Sequence, residues 1–159
     1  MKKRVLILGS TGSIGTQALE VIEASEHLQL AGLTAHSNAE LLAEQAAKFN
    51  VPHALENLET FIQKTPADIV LNAISGAAGL PATLAAIEAG RNVALANKES
   101  LVVGGEQVMT LAASRGVQII PVDSEHAALH QALQGIAPDM IHRLILTCSG
   151  GPFYGRSRT

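Results

Sequence analysis

The chain has 159 residues, 47% of them hydrophobic and only 3% aromatic, with a net charge of −3 and a single cysteine. Such a length fits one domain that can bury roughly 70% of its unfolded surface, in a core built from Ala, Leu, Val and Ile. The acidic balance leaves no basic footprint for nucleic acid or an anionic membrane, one cysteine excludes an intrachain disulfide and a cysteine zinc cluster, and no apolar run reaches the length of a bilayer span. Met1-Lys2-Lys3-Arg4 is followed by an apolar run too short for a secretory signal, so the expectation is a cytoplasmic, soluble protein.

The first element predicted is a strand over Val5-Leu6-Ile7-Leu8, which breaks at Gly9 and is followed by Ser10-Thr11-Gly12-Ser13-Ile14-Gly15 and an amphipathic helix through Thr16, Leu19 and Ile22. Strand, glycine turn and helix in that order have the logic of a phosphate site. Gly9 allows the tight turn, Gly12 allows backbone N–H groups to approach a pyrophosphate, and Gly15 allows helix and strand to pack closely. The helix N-terminus then faces the anion, with the hydroxyls of Ser10, Thr11 and Ser13 as further donors.

Next come a strand over Leu28–Thr34 and a helix from an Asn38 cap to Phe49, then a short strand at His53–Leu55, a short helix over Leu58–Gln63 and a buried strand over Asp68–Asn72. A helix over Leu80–Ala89, a strand over Asn92–Ala96, a helix over Glu99–Ser114 and a strand over Val117–Pro121 follow. A helix over Glu125–Leu133 and a strand over Arg143–Thr147 complete the series. Unbroken alternation of this kind predicts the α/β class, a doubly wound, Rossmann-like parallel sheet with helices on both faces. Residues 1–150 are expected to form the dinucleotide-binding domain. Residues 151–159, rich in Gly, Pro and Arg, read as the start of a linker into a further region.

In such a sheet ligands bind beyond the carboxyl ends of the strands, so those ends hold the candidate site residues. After the second strand comes His36-Ser37-Asn38, with no carboxylate about 20 residues past the glycine loop to accept from a ribose 2′-hydroxyl. That leaves room for a 2′-phosphate, with Ser37 and Asn38 as donors and His36 as a partial cation, and leans towards NADP, although taken alone His36 reads first as a loop histidine and Asn38 as a helix cap. The small residues of Asn72–Leu80 would let a flat ligand lie against the backbone, and a plain loop would read the same way. Asn97-Lys98-Glu99-Ser100 offers a cation and several hydrogen-bonding groups, or merely caps and a solvated ion pair. If Val122–Glu125 is extended, Asp123 and Glu125 project to one side and suit a hard divalent cation, whereas spacing alone favours Asp123 or Ser124 as the cap of the next helix. His126 and His130 share a helix face. Cys148 and Ser149 end the last strand: the thiol is a small hydrophobe or a nucleophile without an evident base, and the hydroxyl is a potential phosphate donor.

Taken together, Gly9–Gly15, Ala96-Asn97-Lys98-Glu99-Ser100-Leu101, Pro121-Val122-Asp123-Ser124-Glu125-His126 and Ser149-Gly150-Gly151-Pro152-Phe153 resemble the 1-deoxy-D-xylulose 5-phosphate reductoisomerase family over the whole chain and in order. The resemblance implies a role in non-mevalonate isoprenoid biosynthesis, with NADPH as cofactor and a divalent cation, magnesium or manganese and alternatively cobalt. It also implies a phosphorylated ketose as substrate and a homodimeric parent enzyme. Carried onto this chain, it assigns Gly9, Thr11, Gly12, Ser13 and Ile14 to the pyrophosphate, Ser37 and Asn38 to the adenosine phosphate, and Asn97 and Glu99 to the nicotinamide side. It assigns Lys98, Ser124, Glu125 and Ser149 to the substrate, and Asp123 and Glu125 to the metal, with Lys98, Asp123 and Glu125 as the catalytic set. Family members are more than twice as long, so the expectation is a cofactor-binding portion that does not turn over alone. Two other classes stay open on the residues: an NADP-dependent semialdehyde dehydrogenase using Cys148, and a nucleotide-sensing module without catalysis.

Overall fold

The computed structural model describes residues 1–147 and 154–157. Six parallel strands form one sheet: β1 (Lys3–Leu8), β2 (Leu28–Thr34), β3 (His53–Ala54), β4 (Ile69–Asn72), β5 (Asn92–Leu95) and β6 (Ile119–Pro121), in the order β3-β2-β1-β4-β5-β6. The helices between them are α1 (Ser13–Ala24), α2 (Ala39–Phe49), α3 (Leu58–Lys64), α4 (Gly79–Glu88) and α5 (Glu99–Arg115), and α6 (Ser124–Ala132) follows β6. This is the doubly wound arrangement expected from the alternation.

Strand alternation decides how the helices distribute. Val5 and Ile7 of β1 point to one face, where they meet Leu19 and Ile22 of α1 and Leu42 and Ala46 of α2. Leu6 and Leu8 point to the other, where they join Ile62 of α3, Ala86 and Ile87 of α4 and Val108 of α5. Because both faces are covered, β1 and β4 read as continuous apolar runs, and Leu6, Ile7, Leu8 and Val70 are fully buried. The chain winds outward from β1 through β2 to β3, crosses back through α3, and winds the other way through β4, β5 and β6. The reversal lies between β1 and β4, which is where a crevice opens at the carboxyl edge.

Register brings the strand ends into one row. Leu8 pairs with Thr34 and Asn72, Asn72 with Leu95, and Leu95 with Pro121. The loops that follow these residues therefore share one edge. Helix α5 bends at Gly104, where a Cβ would come within 2.9 Å of Leu80 on α4; the missing side chain allows the two helices to approach.

Of the two readings of Asp123 and Glu125, the structure has the cap and not the extended segment: α6 begins at Ser124, and Asp123 caps it through the His126 N–H. One expectation is corrected. Arg143–Thr147 forms no strand, since residues 141–147 carry no regular structure and Leu144, Ile145 and Leu146 are exposed. The apolar, β-favouring composition is present there, but a strand exists only through a paired neighbour, and among the described residues β6 pairs with β5 alone. No helix of the described residues is long and apolar enough to cross a membrane.

Candidate nucleotide groove and cation site

The glycine loop is built by collisions that other residues would cause. Gly9 has φ +85°, and a Cβ there would lie 2.8 Å from the Ala73 carbonyl. A Cβ on Gly15 would run into the Gly9 carbonyl and the Ser10 backbone, so α1 can start this close to β1 only with glycine. At Gly12 a Cβ would meet nothing nearer than the Gly9 carbonyl at 3.5 Å, and Gly12 borders the open space beside the turn. Gly12 caps α1 without a side-chain bond, the first turn holds no acidic residue, and the N–H groups of Ser13, Ile14 and Gly15 have no acceptor among the described residues. Three N–H groups and the positive end of the helix are left for an anion.

Beside this turn lies a groove of about 380 Å³, bounded by Gly9, Thr11 and Gly12, by Ala35, His36 and Ser37 after β2, and by Ala73, Ile74 and Ser75 after β4. Thr11 and Ser37 thus face the groove. Ser13 and Ile14 do not bound the groove; they are exposed on the first turn of α1, where the Ser13 hydroxyl accepts from Gln17 Nε2 at 3.1 Å. Asn38 uses its Oδ1 to cap α2 through the Leu41 N–H at 3.1 Å. The expectation that Ser10 offers its hydroxyl to the ligand is corrected: Ser10 is fully buried and donates to Gln45 Oε1 at 2.8 Å, while Gln45 Nε2 returns a bond to the Ser10 carbonyl at 3.2 Å. Gln45 is a loop anchor that sequence reading missed.

On the far side of β4 a buried polar cluster fixes the next two loops. The Asn97 carboxamide, 2% exposed, donates from Nδ2 to the carbonyls of Ile74 at 2.7 Å and Gly76 at 2.8 Å and to Glu99 Oε2 at 3.2 Å. Its Oδ1 accepts from the Ser100 N–H at 3.0 Å and from the Ser100 hydroxyl. Asn72 Nδ2 donates to the Gly79 carbonyl and to Thr83 Oγ1, both at 2.8 Å, and Thr83 Oγ1 lies 3.1 Å from Ser100 Oγ. Asn97 is therefore spent inside the protein, tying the β4 loop to the β5 loop, and Gly79 is small because Asn97 Oδ1 occupies the space of its Cβ. Asn72 and Thr83 were not singled out by sequence. Their signal was a lone polar residue in each of two otherwise apolar buried segments, Ile69–Asn72 and Leu80–Ile87.

The residue after Asn97 carries the cation. Lys98 Nζ lies 2.7 Å from Asp123 Oδ2 and 3.4 Å from Glu125 Oε2, so one ammonium is shared by two carboxylates from another loop. The Asp123 side chain is 8% exposed, that of Glu125 26% and that of Lys98 49%. Burial pushes the Asp123 carboxyl up, but the hydrogen bonds from Lys98 and the His126 N–H, with the Lys98 charge, outweigh it and hold the group below its ordinary value. Glu125 is lowered by its own backbone N–H, by the Ser124 hydroxyl at 3.0 Å and by Lys98. Lys98 is raised, chiefly by its bond to Asp123. Both carboxylates are thus ionised and the ammonium charged at neutral pH. His126 Nδ1 sits 2.9 Å from Asp123 Oδ1.

Two ionised carboxylates that already converge on one cation are the hard oxygen donors a divalent ion takes. Among the described residues no group of three or more His, Cys, Asp or Glu is placed to hold a metal, so these two would leave most of the coordination sphere to water or ligand. The residues present fit a magnesium-type ion as partial ligands, as the glycine turn fits a pyrophosphate. Cys148 and Ser149 lie outside the described residues.

The family model described as 1-deoxy-D-xylulose 5-phosphate reductoisomerase matches residues 5–55 and 50–105, and the model of that enzyme's C-terminal domain matches residues 119–159. The chain is 56% identical over 160 residues to the 1-deoxy-D-xylulose 5-phosphate reductoisomerase of Leifsonia xyli subsp. xyli, covering 98% of this chain and 44% of that protein. It thus spans less than half the length of this curated relative. The Zymomonas mobilis reductoisomerase solved in complex with NADPH superposes with a TM-score of 0.87 at 36% identity, over 99% of this chain and 48% of that one. A reductoisomerase in complex with NADPH, fosmidomycin and magnesium gives 0.75 at 34% identity, over 83% of this chain and 40% of the other. The chain belongs to the 1-deoxy-D-xylulose 5-phosphate reductoisomerase family.

Proposed function

We propose that the chain carries the NADPH-binding part, and the first metal- and substrate-facing residues, of an enzyme that rearranges 1-deoxy-D-xylulose 5-phosphate and reduces the product to 2-C-methyl-D-erythritol 4-phosphate. One observation carries this reading: a glycine-built groove at the sheet's reversal point lies along the same edge as a lysine shared by two ionised carboxylates. Relatives solved with NADPH and with magnesium support it. The free N–H groups of Ser13 and Ile14, with Thr11 and the Gly9–Gly12 turn, bind the pyrophosphate; Ser37 and Asn38 take the adenosine phosphate. Asn97 and Glu99 hold the wall on the nicotinamide side.

When bound, NADPH supplies the hydride, and a divalent ion supplies Lewis acidity at the ketose oxygens. Asp123 and Glu125 are the residues that would hold that ion. Lys98 keeps its proton and offers it to a substrate oxygen as a hydrogen bond, while Ser124 and Ser149 orient the remaining oxygens. Because the chain offers two metal-binding carboxylates, we expect it to bind cofactor without turning over. We further assign residues 1–150 to the cofactor domain and 151–159 to the connection beyond it, and infer a cytoplasmic, homodimeric parent without nucleic-acid or membrane partners.

The test is a titration with NADPH and with NADH, followed by nicotinamide fluorescence. Saturable binding that favours NADPH is expected; binding of neither, or tighter binding of NADH, overturns the cofactor assignment.

A further inference from the structure

Proton counting gives the buried cluster behind the groove a direction. Nδ2 of Asn97 faces three oxygens, those of Ile74, Gly76 and Glu99, while its Oδ1 faces the Ser100 N–H, so the carboxamide has one orientation. Ser100 must then give its only hydroxyl proton to Asn97 Oδ1. Having done so it can only accept from Thr83, whose one proton faces both Ser100 Oγ and the Gly79 carbonyl at 3.1 Å, and Thr83 in turn accepts from Asn72 Nδ2. The result is a connected series from Asn72 through Thr83 and Ser100 to Asn97, ending on the Ile74 and Gly76 carbonyls, with the Gly79 carbonyl as a second acceptor for Thr83 and the direction fixed at its Ser100–Asn97 end. Asn72, Thr83, Ser100 and Asn97 are all buried.

The two ends of this series matter for ligands. Ile74 lies in the wall of the groove, and Lys98 directly follows Asn97. We infer that Thr83 and Ser100 are positioning residues of the nucleotide site: their hydroxyls fix the Asn97 carboxamide, and through it the groove wall after β4 and the turn bearing Lys98, as one unit. Neither hydroxyl touches a ligand. The inference rests on reading the groove as the NADPH site, with the nicotinamide half towards the β4 loop.

The variants are Thr83→Val, which keeps shape and removes the hydroxyl, Thr83→Ser, which restores it, and Ser100→Ala. Each is checked for folding by circular dichroism and titrated with NADPH and with 2′-phospho-ADP-ribose, which lacks the nicotinamide. Thr83→Val and Ser100→Ala are expected to weaken NADPH about tenfold, the scale of one buried hydrogen bond, with Thr83→Ser within about twofold of the unmodified chain. The nicotinamide-free nucleotide should bind all forms alike. Equal losses for both nucleotides, or a Thr83→Ser variant no better than Thr83→Val, mean a merely structural role and overturn the inference.

Amide hydrogen exchange gives a readout that needs no nucleotide. Thr83→Val should speed exchange at residues 74–79 and 97–100 and leave α1 unchanged. If the unmodified chain binds neither nucleotide, the proposed function fails and exchange alone decides the relay: unchanged exchange at those two loops overturns it.

Discussion

The two edges of the sheet each hold a cation against carboxylate, and they are built for different ends. At the amino edge, the Arg4 guanidinium meets Asp68 through Nη2 to Oδ1 at 3.0 Å and Nε to Oδ2 at 3.3 Å, while Oδ2 also accepts the Arg4 N–H at 2.8 Å. The fork and the backbone bond tie this carboxylate to a single residue and clamp the start of β1 to the start of β4. At the carboxyl edge, Lys98 is a point charge on a flexible stem, shared by two carboxylates, of which Asp123 also accepts from the His126 N–H and Glu125 from the Ser124 hydroxyl. A fork locks a pair; a shared ammonium marks a place where one cation can be exchanged for another.

The difference extends to the surrounding backbone. The amino edge begins the strands and is joined by ordinary loop bonds such as Lys3 N–H to the His27 carbonyl at 2.8 Å. The carboxyl edge carries glycines wedged against backbone and a helix start without acceptors. Breaking that edge should therefore have the largest effects. Gly15→Ala forces a Cβ into the Gly9 carbonyl and the Ser10 backbone, neither of which is a flexible side chain. We expect NADPH affinity to fall by about a hundredfold or more, equivalent to about 3 kcal/mol, in a fluorescence titration of a chain that still folds.

Asp123→Asn should rank second. Asparagine caps a helix as well as aspartate does, so the start of α6 is preserved while one negative charge leaves the pair. Affinity for Mn²⁺, read by water-proton relaxation, is expected to fall at least about tenfold, one of two anionic ligands having gone. The same substitution removes the main cause of the raised Lys98 value, so the ammonium should titrate at lower pH than in the unmodified chain. Manganese binding unaltered by Asp123→Asn would mean that the shared-lysine site is only an ion pair.

How much of this was legible in the sequence differs along the same edge. The apolar runs of β1 and β4, the glycine spacing and the helix-capping Asn38 are local signals, and each led to the right element. Spacing alone favours a helix cap at Asp123, as found, and only the family resemblance assigns Asp123 and Glu125 to a metal; they converge because α6 starts between them and Lys98 reaches over from the neighbouring loop. The Asn72, Thr83 and Ser100 series was not legible, because its members lie on β4, α4 and α5, and only the sheet register brings them within bonding distance. Ser10 misled for a related reason: Gln45, 35 residues away, claims its hydroxyl. Arg143–Thr147 shows the opposite failure, a strand-like composition without a strand among the described residues to pair with.

The amino-edge clamp yields an acid-stability prediction with little consequence for ligands. Its hydrogen bonds from Arg4 hold the Asp68 carboxyl at about 2, against an ordinary value of 3.8. The unfolded chain therefore binds a proton that the folded chain refuses over that interval, and the contribution, fully present above about pH 4, is lost as the pH falls towards 2. Asp68→Asn should lower the melting temperature at pH 7 and flatten the acid limb between pH 4 and 2, with NADPH affinity unchanged. The effect should be modest, since the pair is partly exposed and solvent screens it.

The smallest effect belongs at the adenosine end of the groove, and it sharpens the contrast because no ion pair is involved. Ser37 faces the groove after β2, and the turn Ala35–Asn38 contains no carboxylate to accept from a ribose 2′-hydroxyl or to repel a 2′-phosphate. On the proposed NADPH reading, selectivity would rest on the donors of this turn and an absent negative charge. Ser37→Ala removes one neutral hydrogen bond, so the ratio of NADPH to NADH affinity should fall only about threefold. Ser37→Asp introduces the repelling charge and should cost far more, reversing the preference towards NADH. If Ser37→Ala alone abolished discrimination, selectivity would rest on a single hydroxyl; if Ser37→Asp left the ratio intact, the 2′-phosphate would not lie beside Ser37 at all.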